Sequence, residues 1–290
     1  MIHCNICLKK NTEGIESASV RSNVRKFRDE QFEIWRCPNC YSIHASHPVD
    51  LDYYYKHYPL HHLQQTKVDW MLKAMYRNLL SRLKRAGLRK EHAILDYGCG
   101  SGLLVDHLRS AGYVNASGYD AYSDRFSDGR ILEQRFDFIV SQDVIEHVDE
   151  PWDLLETLDR SSKSGTVIAI GTPNAESIDM KNPERRVHTL HQPYHRHILS
   201  RTALLGVGQK FGWKLLRYYP TMYTNTLVPF VNIRFVTYYF SCFDNTLDLS
   251  LEPVRINSWR LWSPLALFYG LFGYFIAPET DVMAVYRKTC

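Results

Sequence analysis

Three glycines that follow a short apolar segment offer the clearest chemistry in this sequence. The segment 94–97 contains Asp96, and Gly98, Gly100 and Gly102 come directly after it at alternate positions. Glycine lets a backbone turn sharply and approach a ligand without a Cβ in the way. A helix-like pattern follows, and the N–H groups at the start of a helix attract polar and anionic ligands. We therefore predict a nucleotide-binding loop between a strand and a helix.

An acidic residue further along the chain supports this prediction. Asp120 closes a second strand-like run, residues 116–119, about 20 residues after the glycine loop. A carboxylate at that place can accept hydrogen bonds from the hydroxyls of a ribose. The dinucleotide fingerprint requires a glycine where Leu103 stands in this chain. The spacing therefore disfavours NAD.

The glycine loop occurs together with two further segments, residues 136–148, which include the run DVIEHV, and residues 165–170. In this combination the sequence resembles the S-adenosylmethionine-dependent methyltransferases of Rossmann-like fold, over residues 66–220. The DVIEHV run is similar to the small-molecule branch typified by the ubiquinone-biosynthesis O-methyltransferases. The resemblance implies an α/β fold, in which helices cover both faces of a Rossmann-like sheet. It also implies S-adenosylmethionine as the cofactor.

The same resemblance implies which residues contact the cofactor. They come from the glycine loop, from the acid after the next strand and from the end of the strand that precedes DVIEHV. The expected cofactor-binding residues are Asp96, Gly98, Cys99, Gly100, Asp120, Gln142 and Asp143. Gln142 and Asp143 would lie beside the methionine part of the cofactor, and Glu146 and His147 would follow at the mouth of the crevice.

The composition fits one α/β core with a small appendage. The chain has 290 residues, of which 45% are hydrophobic and 23% charged, with a formal net charge of +4. This mild basic bias falls short of the concentrated basic stripe of a dedicated nucleic-acid binder. The N-terminus lacks the apolar core of a signal peptide, so we expect a cytoplasmic protein. We predict a zinc ribbon at 1–48, a linker at 49–65 and a methyltransferase domain at 66–290, with an insertion at about 221–280.

Four of the seven cysteines form two pairs with the spacing of metal ligands. Cys4 and Cys7 make one pair, and Cys37 and Cys40 make the other. Each pair can hold one side of a tetrahedral ion from a tight turn, and the alternating residues 32–35 suit a small antiparallel ribbon. In a reducing compartment a metal explains such thiols better than disulfides do. We predict a structural zinc ion, with a disulfide or free thiols as the alternatives.

Between ribbon and core, residues 52–62 are dense in tyrosine and histidine. They either cover a pocket or pack on the core, because tyrosine combines apolar area with a hydroxyl that finds partners. From Thr66, a good N-cap, apolar residues including Trp70 and Leu83 recur at helical spacing up to Gly87. We predict a helix there that closes one wall of the cofactor crevice.

Methyl transfer from a sulfonium depends mainly on holding the acceptor atom, the methyl carbon and the sulfur in line. A hydroxyl acceptor must also lose its proton, and histidine suits that task near neutral pH. His195 and His147 are the candidate catalytic bases, and the segment 193–200 resembles the family's acceptor-side loop. Three further histidines crowd the region 188–197. No carboxylate pattern accompanies them, which disfavours a second metal site.

The chain departs from the family pattern after Asp120. Only residues 121–135 separate this acid from the next strand-like run, too few for a full helix, another strand and their loops. The usual elements must be abbreviated there. The residues that hold the adenine ring therefore cannot be assigned.

A second departure is an apolar insertion near the C-terminus. Residues 213–219 and 282–287 look like a final antiparallel strand pair, and the segment between them is far longer than a simple connection. It contains the apolar stretches 227–240 and 261–277. Three interpretations remain: a lid over a hydrophobic acceptor, a peripheral contact with a membrane, or a homodimer surface.

These observations favour a methyltransferase that acts on a small-molecule or lipid-like acceptor, with O-methylation ahead of C-methylation. One alternative is an RNA methyltransferase that holds RNA with its zinc ribbon. A basic ribbon face would support it, formed by Lys9, Lys10, Arg21, Arg25, Lys26 and Arg28. The other alternative is a non-catalytic zinc-containing binding protein, against which the intact glycine loop and Asp120 argue.

Overall fold

The computed structural model describes residues 2–11, 13–59, 70–255 and 257–289. The predicted N-cap Thr66 lies outside the described residues. The strands are Ile2–His3 (β1), Lys10–Asn11 (β2), Glu16–Arg21 (β3), Gln31–Arg36 (β4), Ile43–Ala45 (β5), Ile94–Tyr97 (β6), Ala116–Tyr119 (β7), Phe136–Gln142 (β8), Ser162–Pro173 (β9), His197–Ile198 (β10), Trp213–Tyr219 (β11) and Asp281–Lys288 (β12). The α-helices are Leu51–Tyr55 (α1), Trp70–Arg85 (α2), Leu103–Ser110 (α3), Pro151–Arg160 (α4), Val187–Leu190 (α5), Arg201–Gly206 (α6), Ile233–Ser241 (α7) and Pro264–Phe272 (α8).

A six-stranded sheet in the order β11-β12-β9-β8-β6-β7 forms the centre of the fold. Strands β7, β6, β8 and β9 are parallel, whereas β12 runs antiparallel to both β9 and β11. The predicted α/β fold and the final antiparallel pair are thus confirmed. The carboxyl ends of β6, β7 and β8 lie at one edge of the sheet, because parallel neighbours end on the same side. The glycine loop, Asp120 and Asp143 therefore come together at that edge.

Helices cover both faces of this sheet. Leu154, Leu155 and Leu158 of α4 pack in one hydrophobic cluster with Leu95 and Ile139. Pro151 occupies the first turn of α4, where its missing N–H costs no helical hydrogen bond. The helix α4 is therefore amphipathic, with its leucines on the buried side.

The opposite face carries α2 and α3. Leu79, Leu83 and Leu108 pack there with Phe138 and Val140. Trp70 is an exception to the predicted apolar stripe of α2, because 62% of its surface is exposed at the start of the helix.

The connection between β7 and β8 is short, as predicted. Within residues 121–135, the regular structure is one 3-10 turn, Gly129–Glu133. The sheet therefore ends at β7 on this side.

The N-terminal sheet has the order β10-β5-β4-β3, so its outer strand comes from the segment that carries His195. His197 pairs with His44, and Ile198 pairs with Ile43. Trp152 of α4 also donates its Nε1–H to the carbonyl of Ile6 at 3.1 Å. Hydrogen bonds thus attach the cysteine-containing segment to the acceptor-side loop.

The apolar insertion folds as two short helices, α7 and α8, with 3-10 turns around them. A small cluster of Tyr239, Leu249 and Leu261 holds it together. Among the described residues, no helix combines the length and the apolar character needed to cross a membrane.

Candidate active site

The three glycines of the loop are required for different reasons: close packing at Gly98 and Gly102, and open space at Gly100. Gly98, Gly100 and Gly102 all have positive φ values, of 79°, 54° and 84°. A Cβ at Gly98 would overlap Val144, and one at Gly102 would overlap the ring of Phe126. A Cβ at Gly100 would meet no described atom within 4 Å. Gly100 thus leaves backbone open to a ligand.

Asp120 is tied directly to this loop. Its Oδ2 accepts the backbone N–H of Gly100 at 2.9 Å, and its Oδ1 accepts that of Tyr122 at 2.9 Å. The backbone N–H groups of Gly98 and Cys99 bind the carbonyl of Tyr119. Each carboxylate oxygen keeps further acceptor capacity for a ribose hydroxyl.

Asp96 lies beneath the loop and is only 5% exposed. Burial, with a smaller contribution from the charge of Asp120, raises the pKa of this carboxyl to about 7. The thiol of Cys99 packs against Gly118, where a Cβ could not fit, and burial raises its pKa. Cys99 therefore shapes the floor of the loop with its side chain.

Gln142 and Asp143 end β8 in different ways. The Gln142 amide donates to the carbonyls of Ser141 at 3.1 Å and Ala169 at 3.3 Å, and its Oε1 has no hydrogen-bond partner among the described residues. Asp143 has a φ of 56° and an exposed side chain. Asp143 therefore presents its carboxylate to the space beyond the sheet edge.

A cavity of about 590 Å³ begins beside Asp143. This volume is in the range of small-molecule sites. Its wall combines histidines of the acceptor-side loop with one side of α7. The cavity-lining residues used below are Tyr58, Asp143, His147, His188, His191, His195, Ile233, Val236 and Phe240.

The two predicted bases lie together at this cavity. The ring centroids of His147 and His195 are 4.7 Å apart. His195 donates its Nδ1–H to the carbonyl of Thr189 at 2.9 Å, which leaves a lone pair on Nε2. The Nδ1 of His147 lies 3.1 Å from the Tyr55 hydroxyl.

Burial away from water disfavours the protonated form of these two imidazoles. It lowers the pKa of His147 to about 4 and that of His195 well below its usual value. The neighbouring His147 and His191 lower the pKa of His195 further. Both predicted bases are therefore neutral at pH 7, and each has one ring nitrogen without a proton.

Glu146 corrects an expectation from the sequence. Its side chain is 0% exposed rather than lying at the mouth of the crevice. Oε2 accepts the hydroxyl of Thr172 at 2.9 Å, and Oε1 has no partner among the described residues. Burial, followed by the charge of Asp143, raises the pKa of Glu146.

Glu146 also supplies the carboxylate that the sequence pattern lacked. One ligand atom each from Glu146, His147 and His195 lies within 4.8 Å of the others. Sequence spacing conceals this group, because Glu146 and His195 are distant along the chain. Backbone hydrogen bonds from Arg196 and His197 to the carbonyl of Glu146 bring them together.

The four predicted metal-ligating cysteines form a second group. All four Sγ atoms lie within 4.8 Å of one another. The distance is 3.6 Å from Cys4 to Cys40 and 3.7 Å from Cys7 to Cys37. These are not disulfide lengths; they match the edge of a tetrahedron with metal–sulfur bonds of about 2.3 Å. The group can therefore hold one tetrahedral ion.

A known protein family matches the part of the chain that forms this edge of the sheet. Residues 71–218, just over half of the chain, match the model of a family described as a methyltransferase domain. The chain belongs to this methyltransferase family. A search of curated proteins finds no match.

Solved structures resemble this methyltransferase only loosely. A putative sarcosine dimethylglycine methyltransferase from Galdieria sulphuraria has 19% identity and a TM-score of 0.44, over 74% of this chain and 85% of its own. Coclaurine N-methyltransferase has 14% identity and a TM-score of 0.44, over 83% and 89%. The complex between the Haloferax volcanii Trm112 methyltransferase activator and the putative methyltransferase gives 14% identity and a TM-score of 0.49, over 84% and 100%. At these TM-scores none of them indicates an acceptor.

The methyltransferase brings its predicted site residues into two neighbouring places. Asp96, Gly98, Cys99, Gly100 and Asp120 surround the turn after β6 and the end of β7. The residues at the end of β8 connect this turn to the histidine cavity, because Asp143 lines that cavity. The cysteine group stands apart, at the end of the N-terminal sheet.

Tyr58 and His191 are site residues that the sequence left without a role. Their rings lie 5.5 Å apart, and both line the cavity. In the described part of the aromatic linker, Tyr54, Tyr55 and Tyr58 pack against a small cluster of Val24, Phe27 and Tyr194, and Tyr58 also lines the cavity. The density of tyrosine in residues 52–62 was the available signal, but it fitted either interpretation.

Proposed function

We propose that this methyltransferase uses S-adenosylmethionine to methylate a hydroxyl group of a small, largely apolar acceptor. The observation that carries the proposal is the position of His147 and His195 in a cavity that begins at Asp143, next to the glycine loop. A donor bound at the loop and an acceptor bound in the cavity would meet at the end of β8. Such an arrangement would bring the acceptor atom to the methyl group, and methyl transfer depends on aligning these atoms with the sulfur.

The histidines would remove the acceptor proton. His195 is the first candidate because its Nδ1–H is fixed by Thr189, so its Nε2 lone pair is available. His147 is the second. As the acceptor oxygen forms its bond to the methyl carbon, the carbon–sulfur bond breaks and its electron pair returns to sulfur. The proton of the hydroxyl moves to the imidazole, and the products are a methyl ether and S-adenosylhomocysteine.

The wall of the cavity supports an acceptor with an apolar body. Ile233, Val236 and Phe240 of α7 contribute apolar side chains. A cavity of this kind favours a ligand that buries apolar area and directs one polar group to the histidines.

We also propose one structural zinc ion at Cys4, Cys7, Cys37 and Cys40. The sulfur distances support it, as does the donation of the Asn11 side-chain amide to the Cys37 sulfur at 3.6 Å. The ion would complete a small sheet that has too little core to be stable alone. Because β5 of that sheet pairs with β10, the ion would also steady the loop that carries His195.

The basic residues of the N-terminal segment do not favour RNA as the acceptor. Arg21 pairs with Glu184 at 3.2 Å, and Arg25 pairs with Asp244 and Glu252 at 2.6 and 2.7 Å. These guanidinium groups are engaged with the rest of the chain. They are therefore less available for phosphate groups than the sequence suggested.

We propose that the exposed apolar side of α8 contacts a membrane surface or a lipid-like acceptor. Phe268 and Phe272 are 47% and 52% exposed. Trp259 and Trp262, before the helix, are 76% and 66% exposed. Tryptophan beside an apolar, uncharged helix is typical of proteins that bind at an interface.

The function can be tested by measuring S-adenosylhomocysteine formation with a panel of apolar phenols, alcohols and amines. We expect turnover with hydroxyl acceptors and a methyl ether as the product by mass spectrometry. His195→Gln should lower kcat about 100-fold or more, with little effect on cofactor affinity. Turnover of amines alone, or an unchanged kcat in His195→Gln, would contradict the proposal.

A further inference from the structure

We propose that Glu146, His147 and His195 bind one divalent transition-metal ion beside the acceptor. This inference rests on the proposed O-methylation and deepens it. The three ligand atoms lie within 4.8 Å of one another, and His147 and His195 line the cavity. Atoms bound tetrahedrally to one ion at about 2.0–2.2 Å are about 3.3–3.6 Å apart, so side-chain rotations that draw the three ligand atoms together by up to roughly 1.5 Å would close the group.

The surroundings of the three residues prepare them to act as ligands. Thr189 holds the Nδ1–H of His195, which directs the Nε2 lone pair away from that bond. Thr172 holds one oxygen of Glu146, while Oε1, fully buried, has no partner among the described residues. Metal-binding histidines and carboxylates are usually held by such outer hydrogen bonds. A buried carboxylate oxygen without a partner is otherwise costly.

A third imidazole lies beside the group. The ring of His191 is 4.9 Å from that of His195. Its Nδ1 is 2.6 Å from the Asn23 side-chain oxygen, so Nδ1 carries the hydrogen, and its buried Nε2 has no partner among the described residues. Glu146 and His191 therefore each keep one buried acceptor atom without a donor among the described residues. A cation satisfies this surplus.

The ligand set selects the kind of ion. Two imidazoles with one carboxylate suit manganese, iron, cobalt or zinc in the divalent state. The all-sulfur cysteine group prefers a softer ion. Mn²⁺ should therefore distinguish the two sites, because it binds oxygen and nitrogen ligands in preference to thiolates.

The ion would change how the acceptor loses its proton. A hydroxyl bound to a divalent cation has a lower pKa, as water does. The oxygen–hydrogen bond breaks, the proton leaves to water, and the electron pair stays on the oxygen. That oxygen then forms the bond to the methyl carbon, and the carbon–sulfur pair returns to sulfur. With the ion bound, His147 and His195 serve as ligands rather than as bases.

The test is a titration of the full chain with Mn²⁺, followed by the electron paramagnetic resonance signal of the free ion. The wild type should bind one Mn²⁺. Glu146→Gln and His195→Gln should weaken binding at least tenfold, and Thr172→Val, which removes the outer hydrogen bond, should weaken it about tenfold. His188→Gln is the matched control, because His188 lines the same cavity but is not in the ligand group, and it should bind as the wild type does.

Thermal unfolding and cofactor binding of each variant show whether it is folded. If Glu146→Gln is unstable, Thr172→Val decides, because it leaves all three ligands in place. Absence of Mn²⁺ binding to the wild type, or binding as tight as the wild type by both Thr172→Val and His195→Gln, would overturn the proposed site.

The binding measurement also separates this inference from the proposed function. Methyl transfer that proceeds at full rate with a chelator, together with no Mn²⁺ binding, would remove the metal site and leave the O-methyltransferase intact. Mn²⁺ binding that depends on Glu146 and His195, without any methylated product, would keep the site and remove the O-methyltransferase.

Discussion

The carboxylate of Asp120 accepts the backbone N–H of Gly100 across 2.9 Å. This bond connects the end of β7 to the turn after β6. Of the three loop glycines, Gly100 is the one at which an added Cβ would contact no described atom within 4 Å. One residue thus both shapes the loop and offers acceptor oxygens at the place expected for the ribose.

Asp120→Ala should therefore weaken binding of S-adenosylmethionine and S-adenosylhomocysteine by tenfold or more, since it removes the ribose acceptor and loosens the loop. Calorimetric titration measures this. Asp128→Ala is a suitable control, because Asp128 pairs with the nearby Arg130 on the exposed turn between β7 and β8. Equal affinities in the two variants would contradict the ribose assignment, and no binding by the wild type would remove the cofactor.

The buried carboxyl of Asp96 predicts a pH-dependent stability. Burial raises its pKa to about 7, so the folded state holds a proton that the unfolded state releases above pH 4. The protonated Asp96 therefore does not lower the free energy of unfolding at low pH. As the pH rises from 4 towards 7, it lowers that free energy progressively. Asp96→Asn removes the charge, and at pH 8 it should stabilise the cofactor-free protein by roughly 4 kcal/mol relative to its effect at pH 4.

Thermal unfolding of wild type and Asp96→Asn at pH 4 and pH 8 checks this difference. Asp153→Asn provides the comparison, because Asp153 is exposed in the first turn of α4, outside the glycine loop. A change in melting temperature that is the same at both pH values would show that Asp96 is not titrating in this range.

Local patterns were enough to predict the sheet edge. The alternate glycines, Asp120 and the apolar strands each lie within one stretch of sequence, and parallel pairing then brings their ends together. The short 121–135 connection could be read in the same way, from its length alone.

The histidine site depended on contacts that no local pattern contains. Glu146 seemed to be a residue at the mouth because it follows a strand end. In the folded chain Arg196 and His197 of the acceptor-side loop donate backbone hydrogen bonds to its carbonyl, and this loop pairs with β5 through β10. The surplus of acceptor atoms around His191 and Glu146 likewise appears only once the chain is folded.

The cysteine group predicts the metal content of the purified protein. We expect about one zinc ion per chain by elemental analysis, and Cys37→Ser should lose most of it because one of four thiolate ligands is missing. Cys242→Ser is the control, since Cys242 lies at the end of α7 and outside the group. Zinc content that is unchanged in Cys37→Ser would rule out the assignment.

The apolar insertion yields the last prediction. Leu267, Phe268 and Leu271 of α8 are 37%, 47% and 51% exposed, so replacing all three with serine should leave the melting temperature and cofactor affinity nearly unchanged. Val114→Ser provides a control at an exposed apolar residue far along the chain from α8. If α8 contacts lipid, the triple variant should lose most of its association with phospholipid vesicles in a sedimentation assay, while Val114→Ser keeps it.

Two other results would assign the surface differently. If α8 instead forms a dimer interface, light scattering should show a dimeric wild type and a monomeric triple variant, without vesicle binding by either. If neither property changes and turnover of an apolar acceptor is also unaffected, the surface has no role in binding. A triple variant that fails to fold would mean that α8 is part of the core, contrary to the exposure of these three side chains.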